Sequence, residues 1–207
     1  IVGFVLPLSS VCSTAVPFSL SGGNPSGGVY SGPGVTAGVF SPSVAGTGVH
    51  VLTYSYIDAG GCMSTATASI TVNPLVHVKA GLDVTICLGN SVSLTATDAI
   101  SYSWSPNQYL SGTTSASVVA SPITTTTYTV TGMDVNGCSS SDAVIVNVLP
   151  LPTATINYPG NPFCKTGTVN VIRSGVAGGV YNSSLGLTLH ASTGAIDLSA
   201  STPGSYT

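Results

Sequence analysis

The stretch "TTYTVTGMDVNGCSSSDAVIVNVLP" (residues 126–150) indicates the fold of this chain. Tyr128 and Val130 alternate with threonine, which places them on one face of a β-strand. "DVNGC" (134–138) has the Asp, Asn and Gly of a hairpin turn, and "VIVNV" then reads as a second strand that ends before Pro150. The stretch therefore predicts two antiparallel strands that close a β domain.

The composition extends this all-β prediction to the whole chain. Only 4% of the 207 residues are charged, against about 25% in average soluble domains, and glutamate is absent. Helices need charged and other straight-chain residues on their solvent faces, whereas the abundant Val, Thr and Tyr suit pleated sheets. Hydrophobic residues make up 43% of the chain, so we expect it to fold rather than remain disordered.

Recurring proline-containing segments divide the chain into a tandem array of β-sandwich domains, arranged like beads on a string. "FVLPLSS" (4–10), "VNPLVH" (72–77) and "NVLPLPT" (147–153) recur at a nearly constant spacing. We expect residues 1–7 to be the last strand of a preceding repeat. Domains one and two should then span 8–74 and 75–150, and a third domain, 151–207, should lack its last strands and so expose an apolar groove.

The predicted core strands follow from alternating apolar residues. Each set below places its side chains on one inward face. The sets are His50, Leu52, Tyr54 and Tyr56; Val92, Leu94 and Ala96; Tyr102 and Trp104; and Tyr128 and Val130.

The cysteines repeat with the same period as the domains. Cys12 and Cys62 are 50 residues apart, and Cys87 and Cys138 are 51 apart, so we expect the disulfides Cys12–Cys62 and Cys87–Cys138. Cys164 takes the first-cysteine position of the third domain, and its expected partner falls near residue 214 or 215, beyond Thr207. A free structural thiol and a reactive or metal-binding cysteine remain alternatives for Cys164. Structural disulfides imply an oxidising, extracellular setting.

Several functional classes find no support in the residues. The three Lys and Arg form no basic cluster, so we expect neither nucleic acid nor an anionic membrane as a partner, and "IVGFVLPL" is too short for membrane insertion. The six aspartates lie apart and the three histidines fall in different domains, so we predict no catalytic residues, no cofactor and no metal site. Calcium at the "DAGGC" and "DVNGC" turns remains an open alternative.

The segment beginning "DVTICLGNSVSLTAT" (83–97) and running to Pro150 resembles the PKD-like and Ig-like repeats of large Bacteroidota surface proteins, including gliding-motility adhesins. "GGVYSG" (27–32) and "GGVYNS" (178–183) resemble a companion repeat of the same proteins. The resemblance implies type IX-like secretion, a cell-surface location and a structural or adhesive role without catalysis. Copies of the chain, neighbouring repeats and surface glycans are the partners we expect. A self-assembling filament subunit and a carbohydrate-binding module remain alternatives.

Overall fold

The computed structural model describes residues 1–206 and separates the chain into two compact units, Ile1–Leu149 and Pro150–Thr207. The first unit contains two hydrophobic cores that share no residue. We call the parts built around them the first sandwich (residues 1–73) and the second sandwich (residues 78–149). The all-β fold class is confirmed, since among residues 1–206 the only helix is one turn, α1, at Pro42–Ala45.

The first sandwich consists of nine strands and the one-turn helix α1, which lies between the seventh and eighth strands in the chain. In chain order they are β1 (Gly3–Phe4), β2 (Ser10–Cys12), β3 (Phe18–Ser19), β4 (Gly23–Asn24), β5 (Val29–Ser31), β6 (Val35–Thr36), β7 (Val39–Phe40), β8 (Gly48–Ile57) and β9 (Met63–Asn73). The main sheet has the order β2-β9-β8-β5, and β3-β7-β6 forms a second sheet. The long hairpin β8–β9 is antiparallel, whereas β2 runs parallel to the end of β9.

The second sandwich repeats this plan with six strands. They are β10 (Val84–Cys87), β11 (Val92–Thr95), β12 (Ser101–Ser105), β13 (Ser117–Ala120), β14 (Thr126–Met133) and β15 (Ser139–Leu149). The main sheet is β10-β15-β14-β12, and β11 pairs with β13. As in the first sandwich, the hairpin β14–β15 is antiparallel, and β10 runs parallel to the end of β15.

The side chains predicted to face inward, except His50, lie in the two cores. Leu52 and Tyr54 are buried in the first sandwich, and Trp104, Tyr128 and Val130 are buried in the second. Two of these aromatic side chains also place their polar atoms on backbone carbonyls: Trp104 Nε1 donates to Ser115 O at 3.0 Å and Tyr128 Oη donates to Gln108 O at 3.0 Å. Period-two alternation thus predicted the buried faces correctly.

Residues 1–7 were assigned wrongly to a preceding repeat. In the structure β1 pairs antiparallel with β4, and Phe4 is buried against Tyr30 and Tyr54 in the first core. Lys79 takes the place of Phe4 in the second sandwich. It forms an isolated β-bridge with Thr97, beside the buried Ala80. The segment is therefore an opening strand of the first sandwich, because its apolar residues fill that core.

The second unit has four short strands in two separate pairs. They are β16 (Ala154–Asn157), β17 (Thr168–Val169), β18 (Ile172–Gly175) and β19 (Ile196–Asp197), paired β16–β18 and β17–β19. Large apolar side chains such as Ile156, Val180 and Leu185 are exposed. The prediction that a sixth strand begins at Thr207 lies outside the described residues.

Candidate functional site

Cys12 lies at the end of β2, where that strand runs beside the last residues of β9. Its register partner is Asn73, and the N–H of Ser13 donates to Asn73 O at 2.9 Å. The chain then turns, with the N–H of Ala15 donating to Cys12 O at 2.9 Å. Parallel pairing therefore holds Cys12 at the pole of the first sandwich from which the linker, residues 74–77, leaves.

Cys138 lies in the turn between β14 and β15, and the Asp134 carboxylate organises that turn. Asp134 Oδ1 accepts the N–H of Asn136 at 2.9 Å and the N–H of Cys138 at 2.8 Å. Gly137 has φ of 80°, a backbone conformation that favours glycine. This arrangement presents the buried Cys138 at the start of β15.

The structure joins Cys12 to Cys138, with the two Cα atoms 5.5 Å apart. The predicted pairs Cys12–Cys62 and Cys87–Cys138 are both absent from it, and the reason is strand length. Cys62 precedes the first residue of β9 and Cys12 lies beside its last, so the 11 residues of β9 separate them by about 36 Å at ~3.3 Å per residue.

A disulfide requires Cα atoms within about 7 Å. The second pair fails for the same reason, because Cys87 lies beside Leu149 at the end of the 11-residue β15 and Cys138 precedes its start. Spacing along the sequence showed that the cysteines share the domain period, but not that each pair occupies opposite poles. A cysteine pair formed between neighbouring domains repeats along the sequence with the same spacing as a pair formed within one domain.

The Cys12–Cys138 bond ties the first sandwich to the second. Every sheet lies within one sandwich, so this bond and the linker peptide are the covalent connections across the joint. The sequence separation is 126 residues. By the chain-entropy model, closing a loop of that size contributes about 5 kcal/mol. With both sandwiches folded, the bond restricts bending and twisting at residues 74–77.

Cys62, Cys87 and Cys164 are free and exposed in the structure. Cys164 lies outside the strands, between β16 and β17. Its partner beyond Thr207 remains a prediction, as do the two alternatives for its thiol.

Asp58 and His50 make hydrogen-bond contacts within their own sandwich. Asp58 Oδ1 accepts the N–H groups of Gly60 and Cys62, the same turn chemistry as at Asp134. His50 Nε2 lies 2.8 Å from Gly46 O. Within residues 1–206, no group of three or more His, Cys, Asp or Glu side chains is placed to hold a metal ion.

Three aspartates are held in their charged form by hydrogen bonds. The backbone N–H of Ala80, 2.8 Å from Asp142 Oδ2, lowers the pKa of that carboxyl. The Lys79 side chain lowers the pKa of Asp98, and the Ser199 hydroxyl lowers that of Asp197. Asp142 and Asp98 each stabilise the entry segment of the second sandwich, at Ala80 and Lys79.

The second unit contains an apolar groove. A cavity of about 460 Å³ is lined by side chains that include Tyr158, Phe163, Tyr181 and Ile196. Most of these are apolar or aromatic, and in a complete sandwich such side chains pack against further strands.

Half of the ten aromatic side chains in the first unit are buried and so unavailable to a ligand. Trp104, Tyr54 and Tyr128 are at most 2% exposed. They therefore form no platform for stacking a sugar ring. Within the described residues, no helix is long and apolar enough to cross a membrane.

No family model matches the sequence, and no curated protein does. Solved structures with a similar fold include the N-terminal eight Ig domains of Down Syndrome Cell Adhesion Molecule, at 13% identity and a TM-score of 0.41. That match covers 84% of this chain and 31% of the other. The insect immune protein hemolin matches at 14% identity and a TM-score of 0.34, over 70% of this chain and 46% of its own.

A Ca2+-stabilised adhesin with which an Antarctic bacterium binds ice matches at 16% identity and a TM-score of 0.34, over 84% of this chain and 57% of the other. The chain thus spans about a third to just over half of these structures. Identities and TM-scores this low say nothing about a shared function.

Proposed function

We propose that the chain is a structural and adhesive segment of a long secreted cell-surface protein, in which β-sandwich repeats follow one another and are clamped at their joints. The Cys12–Cys138 bond between consecutive sandwiches carries this proposal. A bond across a joint limits bending, which serves a spacer that must hold a distance from a surface. Disulfides persist in oxidising compartments, which supports an extracellular location.

The proposal keeps the domain boundaries predicted near residues 74 and 150. Both boundaries fall in segments without strands. The residues of the first core all precede residue 74, and those of the second core all follow it. A series of beads connected by four-residue linkers would be flexible without cross-links. The clamp makes the pair of sandwiches a stiffer element.

The resemblance to Bacteroidota repeats supports a finer proposal: export by a type IX-like pathway and a part in gliding motility. The chain would act without catalysis, through copies of itself, neighbouring repeats or surface glycans. Protease treatment of intact producing cells tests the location. Surface exposure predicts cleavage of the protein on whole cells, and full protection until the cells are lysed would contradict it.

Small-angle X-ray scattering tests the clamp. We expect the double variant Cys12→Ser/Cys138→Ser to show a wider distribution of dimensions than the purified wild-type chain. Cys164→Ser is the matched control, because it removes a thiol and leaves the joint intact. Identical profiles for the wild type and the double variant would contradict a role of the bond in stiffening the chain.

A filament subunit is the second candidate, and the groove in the second unit favours it. An apolar groove beside two-stranded sheets, which have open outer edges, can accept a strand from another chain. Self-assembly predicts that the sedimentation coefficient rises with protein concentration under non-reducing conditions. A sedimentation coefficient that stays at the monomer value at all protein concentrations would contradict the filament and leave only the spacer role.

A further inference from the structure

The two free cysteines of the first unit occupy the same structural positions as the two bonded ones. Cys87 ends β10 beside Leu149, as Cys12 ends β2 beside Asn73. The following N–H donates to the partner carbonyl in both places: Leu88 N to Leu149 O at 2.8 Å, and Ser13 N to Asn73 O at 2.9 Å. We call Cys12 and Cys87 strand-end cysteines.

Cys62 and Cys138 share the other position, the turn of the long hairpin, and we call them hairpin cysteines. Asp58 Oδ1 accepts the N–H of Cys62 at 2.9 Å, and Asp134 Oδ1 accepts that of Cys138 at 2.8 Å. The glycine before each cysteine has nearly the same φ, 82° at Gly61 and 80° at Gly137. The two turns therefore present their thiols alike.

The bonded joint shows how these two positions pair. A strand-end cysteine, Cys12, bonds the hairpin cysteine of the sandwich that follows it, Cys138. Cys62 and Cys87 cannot pair with each other, because each lies one long strand, about 36 Å, from that joint at the outer pole of its sandwich. Each is exposed and carries the geometry of half a joint.

We propose that Cys87 and Cys62 are halves of further joints of the same kind, so that the disulfides form a staggered ladder along successive sandwiches. Cys87 takes the hairpin cysteine of another sandwich repeat, and Cys62 takes the strand-end cysteine of another. The partner is a β-sandwich with an Asp-x-x-Gly-Cys hairpin turn or a cysteine at the end of its parallel edge strand. This inference rests on the proposed tandem array.

Formation of each bond is a thiol–disulfide exchange. The thiolate of one cysteine first attacks a low-molecular-weight disulfide such as oxidised glutathione, breaks its S–S bond, and forms a mixed disulfide with release of one glutathione thiolate. The thiolate of the other cysteine then attacks the sulfur of the first cysteine in this mixed disulfide. The remaining glutathione leaves as a thiolate. Two thiols become one disulfide, and the oxidant takes up two electrons and two protons.

Peptide mapping of the protein as its own cells export it, alkylated before denaturation and digested without reduction, tests the ladder. We expect Cys87 linked to a peptide with a hairpin-turn cysteine and Cys62 linked to one with a strand-end cysteine. A peptide absent from these 207 residues would identify a further repeat, and a Cys62–Cys87 peptide would identify a second copy; both support the pairing rule.

Alkylated Cys62 and Cys87 would overturn the ladder, and so would Cys62–Cys62 or Cys87–Cys87 links. Such a result would leave the surface location of the protein, tested by protease accessibility, unaffected.

A second experiment uses the purified chain in a buffer of reduced and oxidised glutathione. We expect the disulfide-linked dimers that form to contain Cys62–Cys87 links, and Cys62→Ser or Cys87→Ser to reduce the dimer yield at least tenfold. The control Cys164→Ser should leave that yield unchanged. Dimers insensitive to both substitutions, or an absence of dimers, would contradict complementary thiols.

Discussion

Asp134 fixes the turn that carries Cys138, and its substitution should destabilise the joint. Asp134→Ala leaves the N–H groups of Asn136 and Cys138 without their acceptor, and Cys138 is buried. An unsatisfied buried donor costs about 1–3 kcal/mol. We expect a loss of this size in the free energy of unfolding, measured with urea.

Asp58→Ala is the matched control for Asp134→Ala. It removes the same two hydrogen bonds from the equivalent turn, but Cys62 is exposed and water can replace the lost acceptor. We expect it to cost less than about 1 kcal/mol. Equal costs at the two turns would show that burial at the joint is not what makes Asp134 important.

Asp142 should make the stability of the second sandwich depend on acid pH. Its carboxylate accepts the N–H of Ala80, and its pKa is lowered in the folded protein. The contribution is therefore present above the unfolded pKa, about 3.9, and is lost as the pH falls through the lower folded value. The thermal midpoint should therefore fall as the pH is lowered below about 4.

Asp142→Asn should make that fall in the thermal midpoint shallower, because the amide oxygen still accepts a hydrogen bond but does not titrate. Asp98 and Asp197 titrate in the same direction, so some acid dependence should remain. An unchanged slope in the variant would show that Asp142 does not contribute. All three carboxylates are solvent-accessible, so the effect should be small.

The glycine-rich segment before strand β5 packs against the Tyr54 side chain. Gly28 donates its N–H to Tyr54 Oη, and a Cβ at Gly28 would collide with Ser55 O and the Tyr54 ring. Overpacking of this kind costs about 1–3 kcal/mol. We expect Gly28→Ala to lower the free energy of unfolding by that amount.

Gly112 is the matched control for Gly28, because a Cβ there would meet no atom within 4 Å. Gly112→Ala should change the free energy of unfolding by less than about 0.5 kcal/mol. Equal effects of the two substitutions, measured by urea unfolding, would show that close packing on Tyr54 is not the reason for glycine at position 28.

Local alternation determined the strand faces from sequence, whereas pairing between distant elements did not follow from it. Leu94 and Trp104 face inward because period two is a property of each strand alone. "IVGFVL" was assigned to the wrong end of a domain because opening and closing strands carry similar apolar patterns. Only the pairing of β1 with β4, and the burial of Phe4 that accompanies it, distinguish the two.

At the scale of the whole molecule, the cysteine period was visible in the sequence and the bonding partner was not. A repeat fixes the spacing of equivalent residues, so pairing within a domain and pairing between neighbours have the same period. The strand lengths decide between them, since β9 and β15 separate the cysteines of each predicted pair.

The bond between the two sandwiches makes the first unit a clamped pair rather than two independent beads. Non-reducing digestion of the purified chain, after alkylation of free thiols, tests this most directly by mass spectrometry. We expect a peptide pair that links Cys12 to Cys138, with Cys62 recovered free or linked to another repeat. Peptides linking Cys12 to Cys62 and Cys87 to Cys138 would contradict it.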